Sequence, residues 1–196
     1  MLKSVIGNIA VATFFLLFVY ANVKGFNATG DISYILAAIN QGAYVALYLI
    51  RQRAVATSTS TFDWGVAFSA TFVGTLLRPA YPTSVFLGST LVVFGLIANT
   101  ISVLYLNKSL SLVPAERSVK TGGPYRFIRH PMYSSDIISF FGYVLVNFSV
   151  ANLIIVLCNT VLMLVRINRE EAFLSRNQSY REYLAQTQWK LLPFVY

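Results

Sequence analysis

Six apolar runs, at 5–23, 32–50, 64–77, 85–106, 137–150 and 153–167, constrain this chain more than any other feature. Several are long enough to cross ~30 Å of hydrocarbon at ~1.5 Å per residue, although the third, fifth and sixth are short. With 56% hydrophobic and 11% charged residues over 196 positions, the chain carries more apolar side chain than one soluble core of that size can hide. The expectation is an all-α, polytopic transmembrane helical bundle of about six spans. The first run follows Lys3, as the apolar core of a signal peptide would. It is too long for one and lacks a small-residue cleavage site, so it reads as a mature span.

A net charge of +8 would point to nucleic acid in a soluble domain. Here the charges fall between the apolar runs. Placing the N-terminus in the cytoplasm gathers every Lys and Arg except Lys24 and Arg78 on the inner face. That is the bias expected of cytoplasmic loops, and it leaves no nucleic-acid partner to invoke. Cys158 is the single cysteine, which excludes a disulfide framework or a two-cysteine metal or redox motif. His130, the single histidine, lacks the companions a zinc site requires, so no metal is expected.

Residues 1–53 read as an N-terminal pair of transmembrane helices. The small polar stretch 54–61 follows, with Asp63 expected to cap the next helix. Residues 62–196 then form a core with a loop at 107–133, a helical hairpin at 134–167 and an interfacial helix at 169–188. Pro131 suits a first helical position, because its missing N–H costs no hydrogen bond there. The few residues at 147–152 force the two hairpin helices tightly antiparallel. The loop 107–133 and the tail after 167 thereby fall on the same, cytoplasmic side, where they can meet. The tail's mixture of charge and aromatics suits an interfacial helix or a lid.

The densest polar signal is Gly122-Gly123-Pro124-Tyr125-Arg126-Phe127-Ile128-Arg129-His130-Pro131-Met132-Tyr133. It places the lone histidine at the mouth of a helix, where free amides favour an anionic group. Histidine beside a proline is also often just a hydrogen-bonding residue. Tyr125 and Tyr133 suit an interfacial aromatic belt or, alternatively, the ring faces around a cationic ligand. Asp136 is accounted for by a favourable charge near a helix start. Arg166, Arg169, Glu170 and Glu171 close the last apolar run, and ionisable residues there avoid lipid by facing a polar cavity or the headgroups. Arg166 and Glu170 are four apart and share one helix face. They form either a local ion pair or a site in which the guanidinium grips a carboxylate or phosphate while Glu170 holds a cation or donor.

Gly123-Pro124-Tyr125, Arg129-His130-Pro131-Met132-Tyr133, the hairpin, Arg166 with Glu170-Glu171, and Tyr180 with Tyr183 together resemble the isoprenylcysteine carboxyl methyltransferase family. The related phospholipid N-methyltransferases share this outline. The chain departs from the family pattern at Val119-Lys120, where Leu-Val is favoured, and at Ser135, where glycine is usual. The resemblance implies an integral membrane methyltransferase using S-adenosyl-L-methionine in a cytoplasmic pocket. By position, the cofactor would meet Arg117, Ser118, Val119, Lys120, Tyr125, His130, Pro131, Met132, Tyr133 and Glu170. Arg166 would bind the substrate, and Arg166 and Glu170 would carry catalysis. The implied acceptor is lipidic or prenylated, reached laterally from the bilayer lipids, with a carboxylate favoured. Three alternatives stand beside it: phospholipid headgroup N-methylation, an NADPH-dependent sterol-type reductase, and a non-enzymatic carrier or scaffold.

Overall fold

The computed structural model describes residues 2–80 and 85–195, with side chains from residue 5 onward. Positions 81–84, Tyr196 and the side chain of Lys3, whose charge entered the sidedness reading, lie outside the described residues. The structure is 74% helical. Its helices are α1 (Leu2–Thr29), α2 (Ile32–Ile50), α3 (Thr61–Phe72), α4 (Phe86–Leu106), α5 (Pro131–Val146), α6 (Val150–Leu174) and α7 (Gln178–Gln186). Two short strands, β1 (Ala56–Thr57) and β2 (Ala115–Glu116), pair antiparallel between the loops that follow α2 and α4.

Among the described residues, four helical segments are long and apolar enough to cross a membrane: Val5–Thr29, Ile32–Ile50, Phe86–Ser109 and Val150–Leu174. Helix α3, with 12 residues, and α5, with 16, span only ~18 Å and ~24 Å at ~1.5 Å per residue. They pack alongside the long helices. Large apolar side chains such as Leu17, Phe94, Ile101, Ile154 and Val161 stand exposed on the outer surface, which suits a hydrocarbon surround and not water.

The helix boundaries follow local chemistry. Gly30 ends α1 at φ +70°, a left-handed conformation that glycine adopts without a side-chain clash. Asp31 then caps α2 by accepting from the Ser33 amide at 2.8 Å. Pro131 opens α5, as its fixed φ predicts. Ser149 caps α6 across a three-residue turn, accepting from the Asn152 amide at 3.0 Å. Two expectations shift. Ser60, not Asp63, caps α3, because a cap side chain must precede the helix and Asp63 already lies inside it. The expected tail helix at 169–188 is divided: α6 runs on through Leu174, and Asn177 caps a separate α7 by accepting from the Ser179 amide at 2.8 Å.

Helices α4 and α5 make the closest crossing. A side chain added at Gly142 would meet the carbonyl oxygen of Gly88 at 2.8 Å, and one at Gly95 would meet the Ser135 carbonyl at 2.8 Å. Small residues at such crossings let backbones approach where no hydrophobic effect drives helices together. Polar groups join α2, α4 and α5. Asn40 Nδ2 donates to Asn99 Oδ1 at 2.9 Å, and Asn99 Nδ2 donates to Asp136 Oδ1 at 2.7 Å. Asn152 fastens the α5–α6 turn to the chain after α3, donating to the Arg78 carbonyl at 2.8 Å and accepting from its amide at 3.1 Å.

Candidate active site

The loop between α4 and α5 is built to be held still. Gly123, at φ +57°, lies against the ring of Tyr105 where a side chain would collide with it. The following single turn buries Tyr125. The Arg129 and His130 amides donate to the carbonyls of Trp189 and Lys190 at 2.8 and 2.9 Å, so the tail pairs with the segment entering α5. Ser134 Oγ adds a 2.7 Å bond to the Leu191 carbonyl. Glu171 ties this junction to α6, meeting Arg129 Nε at 2.7 Å, His130 Nε2 at 3.0 Å and Lys190 Nζ at 3.4 Å. His130 is therefore bound to Glu171 and makes no side-chain cap at the start of α5.

Loop, α6 and α7 enclose a recess. Its wall contains Arg117, Ser118, Val119, Lys120, Tyr125, His130, Met132, Tyr133 and Glu170, all expected from the sequence. Pro131 is absent from that wall and lies buried as the first residue of α5. The wall also includes Ser109, Ser111, Arg129, Tyr180 and Tyr183, which were not expected as site residues. The spacing of Tyr180 and Tyr183 on one face of α7 is the signal that could have found them. Tyr183 donates its hydroxyl to the Tyr125 carbonyl at 2.7 Å, closing α7 onto the loop. Burial raises the phenol pKa of Tyr125, Tyr180 and Tyr183, and the charge of Glu170 adds to the rise at Tyr125 and Tyr180. The three rings stay neutral at physiological pH. Burial, followed by the nearby charge of Arg51, lowers Arg117 to about 10.

Arg166 does not line this recess. It stands in a neighbouring chamber with Asn40, Tyr44, Thr71, Asp136 and Phe140. It is buried, donating to Thr71 Oγ1 at 3.2 Å and to the Leu112 carbonyl at 2.5 Å. No direct Arg166–Glu170 ion pair forms among the described residues. Tyr133 stands between them: its ring lies 5.1 Å from the Arg166 guanidinium, and its hydroxyl donates to Glu170 Oε2 at 2.8 Å. Tyr133, Met132 and Ser111 line both spaces. Asp63, expected as a cap, accepts from Ser58 Oγ and pairs with Arg169 Nε at 2.6 Å.

The sequence profile of the phospholipid methyltransferase family matches residues 83–181, just over half of the chain. This chain belongs to that family. The matched segment runs from just before α4 into α7 and takes in Arg166 and most of the recess wall, whereas Asn40, Tyr44 and Thr71 of the Arg166 chamber lie ahead of it. No curated protein matches the chain. Family and fold together make it an integral membrane methyltransferase that acts on a lipid substrate. The methyltransferase resemblance drawn from the residues holds at the level of this wider family, which weighs against the reductase and carrier alternatives.

Proposed function

We propose that the protein transfers a methyl group from S-adenosylmethionine, held in the recess, to a lipid-tailed acceptor whose reacting group lies in the Arg166 chamber. The observation that carries this reading is Tyr133, which forms part of both walls, bonds Glu170 through its hydroxyl and lies against the Arg166 guanidinium through its ring. Two compartments with a common wall suit a reaction whose main demand is aligning two reactants, a contribution of ~7–11 kcal/mol when fully realised.

The donor set fits the cofactor's chemistry. Four tyrosine rings and Glu170 offer faces and charge to a sulfonium, while Lys120 suits the carboxylate of its amino-acid end. When bound, the cofactor supplies a methyl group already electrophilic at its carbon. The recess as closed holds about 90 Å³, less than the ~300 Å³ of a typical small-molecule pocket. Admission of a nucleoside-sized ligand needs a wider recess, and on this reading α7, joined to the loop by the Tyr183–Tyr125 bond, is the element that opens.

For the acceptor we favour a carboxylate on an isoprenoid or other lipid tail. Arg166 suits an anion and stays protonated while holding it, and an ionised carboxylate needs no base. A second reading, methylation of a phospholipid amine, is favoured by Asp136 in the same chamber, since an amine nucleophile requires a proton acceptor. Incubation with labelled S-adenosylmethionine and a lipid extract separates the two. A methyl ester loses its label in mild base, whereas an N-methyl product keeps it. Calorimetry with S-adenosylhomocysteine tests the recess, and binding of NADPH in its place would overturn the proposal. We also place the N-terminus and recess on the cytoplasmic side, following the basic residues. A cysteine introduced at the exposed Arg181 should then resist an impermeant thiol reagent applied to intact cells; labelling would reverse the orientation.

A further inference from the structure

Between α1, α2 and α3 lies a groove of about 590 Å³ that the methyl-transfer reading does not use. One wall is an aromatic ladder along α3, Trp64, Phe68 and Phe72, whose rings stack at 5.9 and 5.7 Å. Phe14 of α1 closes against its far end, 4.5 Å from Phe72. The ladder runs ~12 Å, eight residues at ~1.5 Å each. At its near end stand Arg51, Arg53 and Arg117. Arg51 is fixed by Asn8 Oδ1 at 2.7 Å and lies over the Tyr48 ring at 4.8 Å. Arg117 is fixed by the Gln52 carbonyl at 3.0 Å, and its Nη1 is buried with no hydrogen-bond partner. Among the described residues no carboxylate pairs with any of the three.

Three guanidiniums gathered without a counter-charge call for an anion, and an aromatic channel leading away from them along a membrane helix calls for a hydrocarbon chain. We infer that this groove holds one anionic phospholipid, its phosphate among Arg51, Arg53 and Arg117 and an acyl chain along the α3 ladder. Tyr48, Ser111 and Leu112 form a wall common to this groove and the Arg166 chamber, but none of the three arginines lines the chamber, so a phosphate held by them stays outside it and the lipid is assigned as an accessory ligand and not the methyl acceptor. It is also placed to influence the recess. Arg117 lines both spaces, and the loop after α2 is bonded to the recess loop from Gln52 N to the Lys108 carbonyl and from Val55 N to the Glu116 carbonyl, each at 2.9 Å. The role of the first two helices is then to complete a lipid site.

The test reports on Trp64 in the Trp189→Phe protein, reconstituted in vesicles containing phosphatidylglycerol or phosphatidylcholine with brominated acyl chains, which quench tryptophan on contact. Phosphatidylglycerol has neither amine nor carboxylate to methylate, so the result is independent of the acceptor. Half-maximal quenching is expected at a mole fraction about tenfold lower for phosphatidylglycerol, the scale of two or three cations each contributing a few-fold. Arg53→Glu, at an exposed residue with no bond among the described residues, should abolish the preference, as should Arg51→Gln, with helical content by circular dichroism unchanged. Equal quenching by both lipids, or a preference that survives Arg53→Glu, overturns the site. Relief of quenching by millimolar inorganic phosphate at matched ionic strength would make it a soluble-anion site and overturn the lipid assignment. The coupling rests on the cofactor reading of the recess. It predicts severalfold tighter S-adenosylhomocysteine binding in phosphatidylglycerol vesicles, lost in Arg53→Glu, and an unchanged affinity overturns that part alone.

Discussion

On one side of the last turns of α6, Glu171 receives Arg129, His130 and Lys190 at 2.7, 3.0 and 3.4 Å. On the other, ~100° around the axis, Glu170 receives the Tyr133 hydroxyl at 2.8 Å and faces the recess. The two carboxylates are adjacent in sequence and alike in chemistry, yet one is saturated by protein and the other is left with capacity for a ligand. A fully partnered buried charge fixes structure, and removing its partners leaves a costly unpaired group. A partly partnered one is available for binding and catalysis. Arg166 and Arg169 repeat the division: Arg169 is satisfied by Asp63, whereas Arg166 stands in a chamber with Asp136 and no ion-pair partner among the described residues.

This contrast is open to direct attack. The largest effect is expected from Glu170→Gln, which should lower kcat/KM for methyl transfer by ~10²–10³-fold, the scale of losing one aligned electrostatic group, with the thermal midpoint nearly unchanged. Glu171→Gln should do the reverse, costing about 3 kcal/mol of stability by removing the charge that Arg129, His130 and Lys190 share, while methyl transfer below the new midpoint stays within a few-fold. If both variants lose activity and stability alike, the division between the two faces is wrong. Tyr133→Phe removes the hydroxyl joining the two spaces and should reduce kcat by ~10–100-fold, the scale of the ~1.5–3 kcal/mol of a bond to a charged group, without unfolding the protein. The smallest change is expected from Tyr183→Phe. Losing its bond to the Tyr125 carbonyl is worth ~0.5–1.5 kcal/mol, and should appear as a few-fold faster dissociation of S-adenosylhomocysteine.

Much of the bundle could be read from the sequence because its signals are local. Apolar runs, Pro131 at a helix start and the short α5–α6 link each act within a few residues, and the four-residue spacing of Arg166 and Glu170 gave their shared face. The recess wall was legible for the same reason, since most of it comes from the continuous segments 117–120 and 125–133. The Arg166 chamber was not. Asn40 and Tyr44 reach it from α2, more than 120 positions before Arg166, and a bond such as Asn40 to Asn99 leaves no periodic trace. Asp63 was misassigned as a cap because its partner, Arg169, lies 106 residues away. The split of the tail helix turned on Asn177, whose side chain bonds its own backbone and ends what charge and aromatic spacing alone would continue.

The pairing of Arg129 and His130 with the carbonyls of Trp189 and Lys190 makes the entrance to α5 depend on chain that follows every described helix. A cut ahead of residue 187 would leave those helices whole and remove the partners of the Arg129 and His130 amides and of Ser134 Oγ. The tail is thus a tether whose loss limited proteolysis can separate from loss of the bundle.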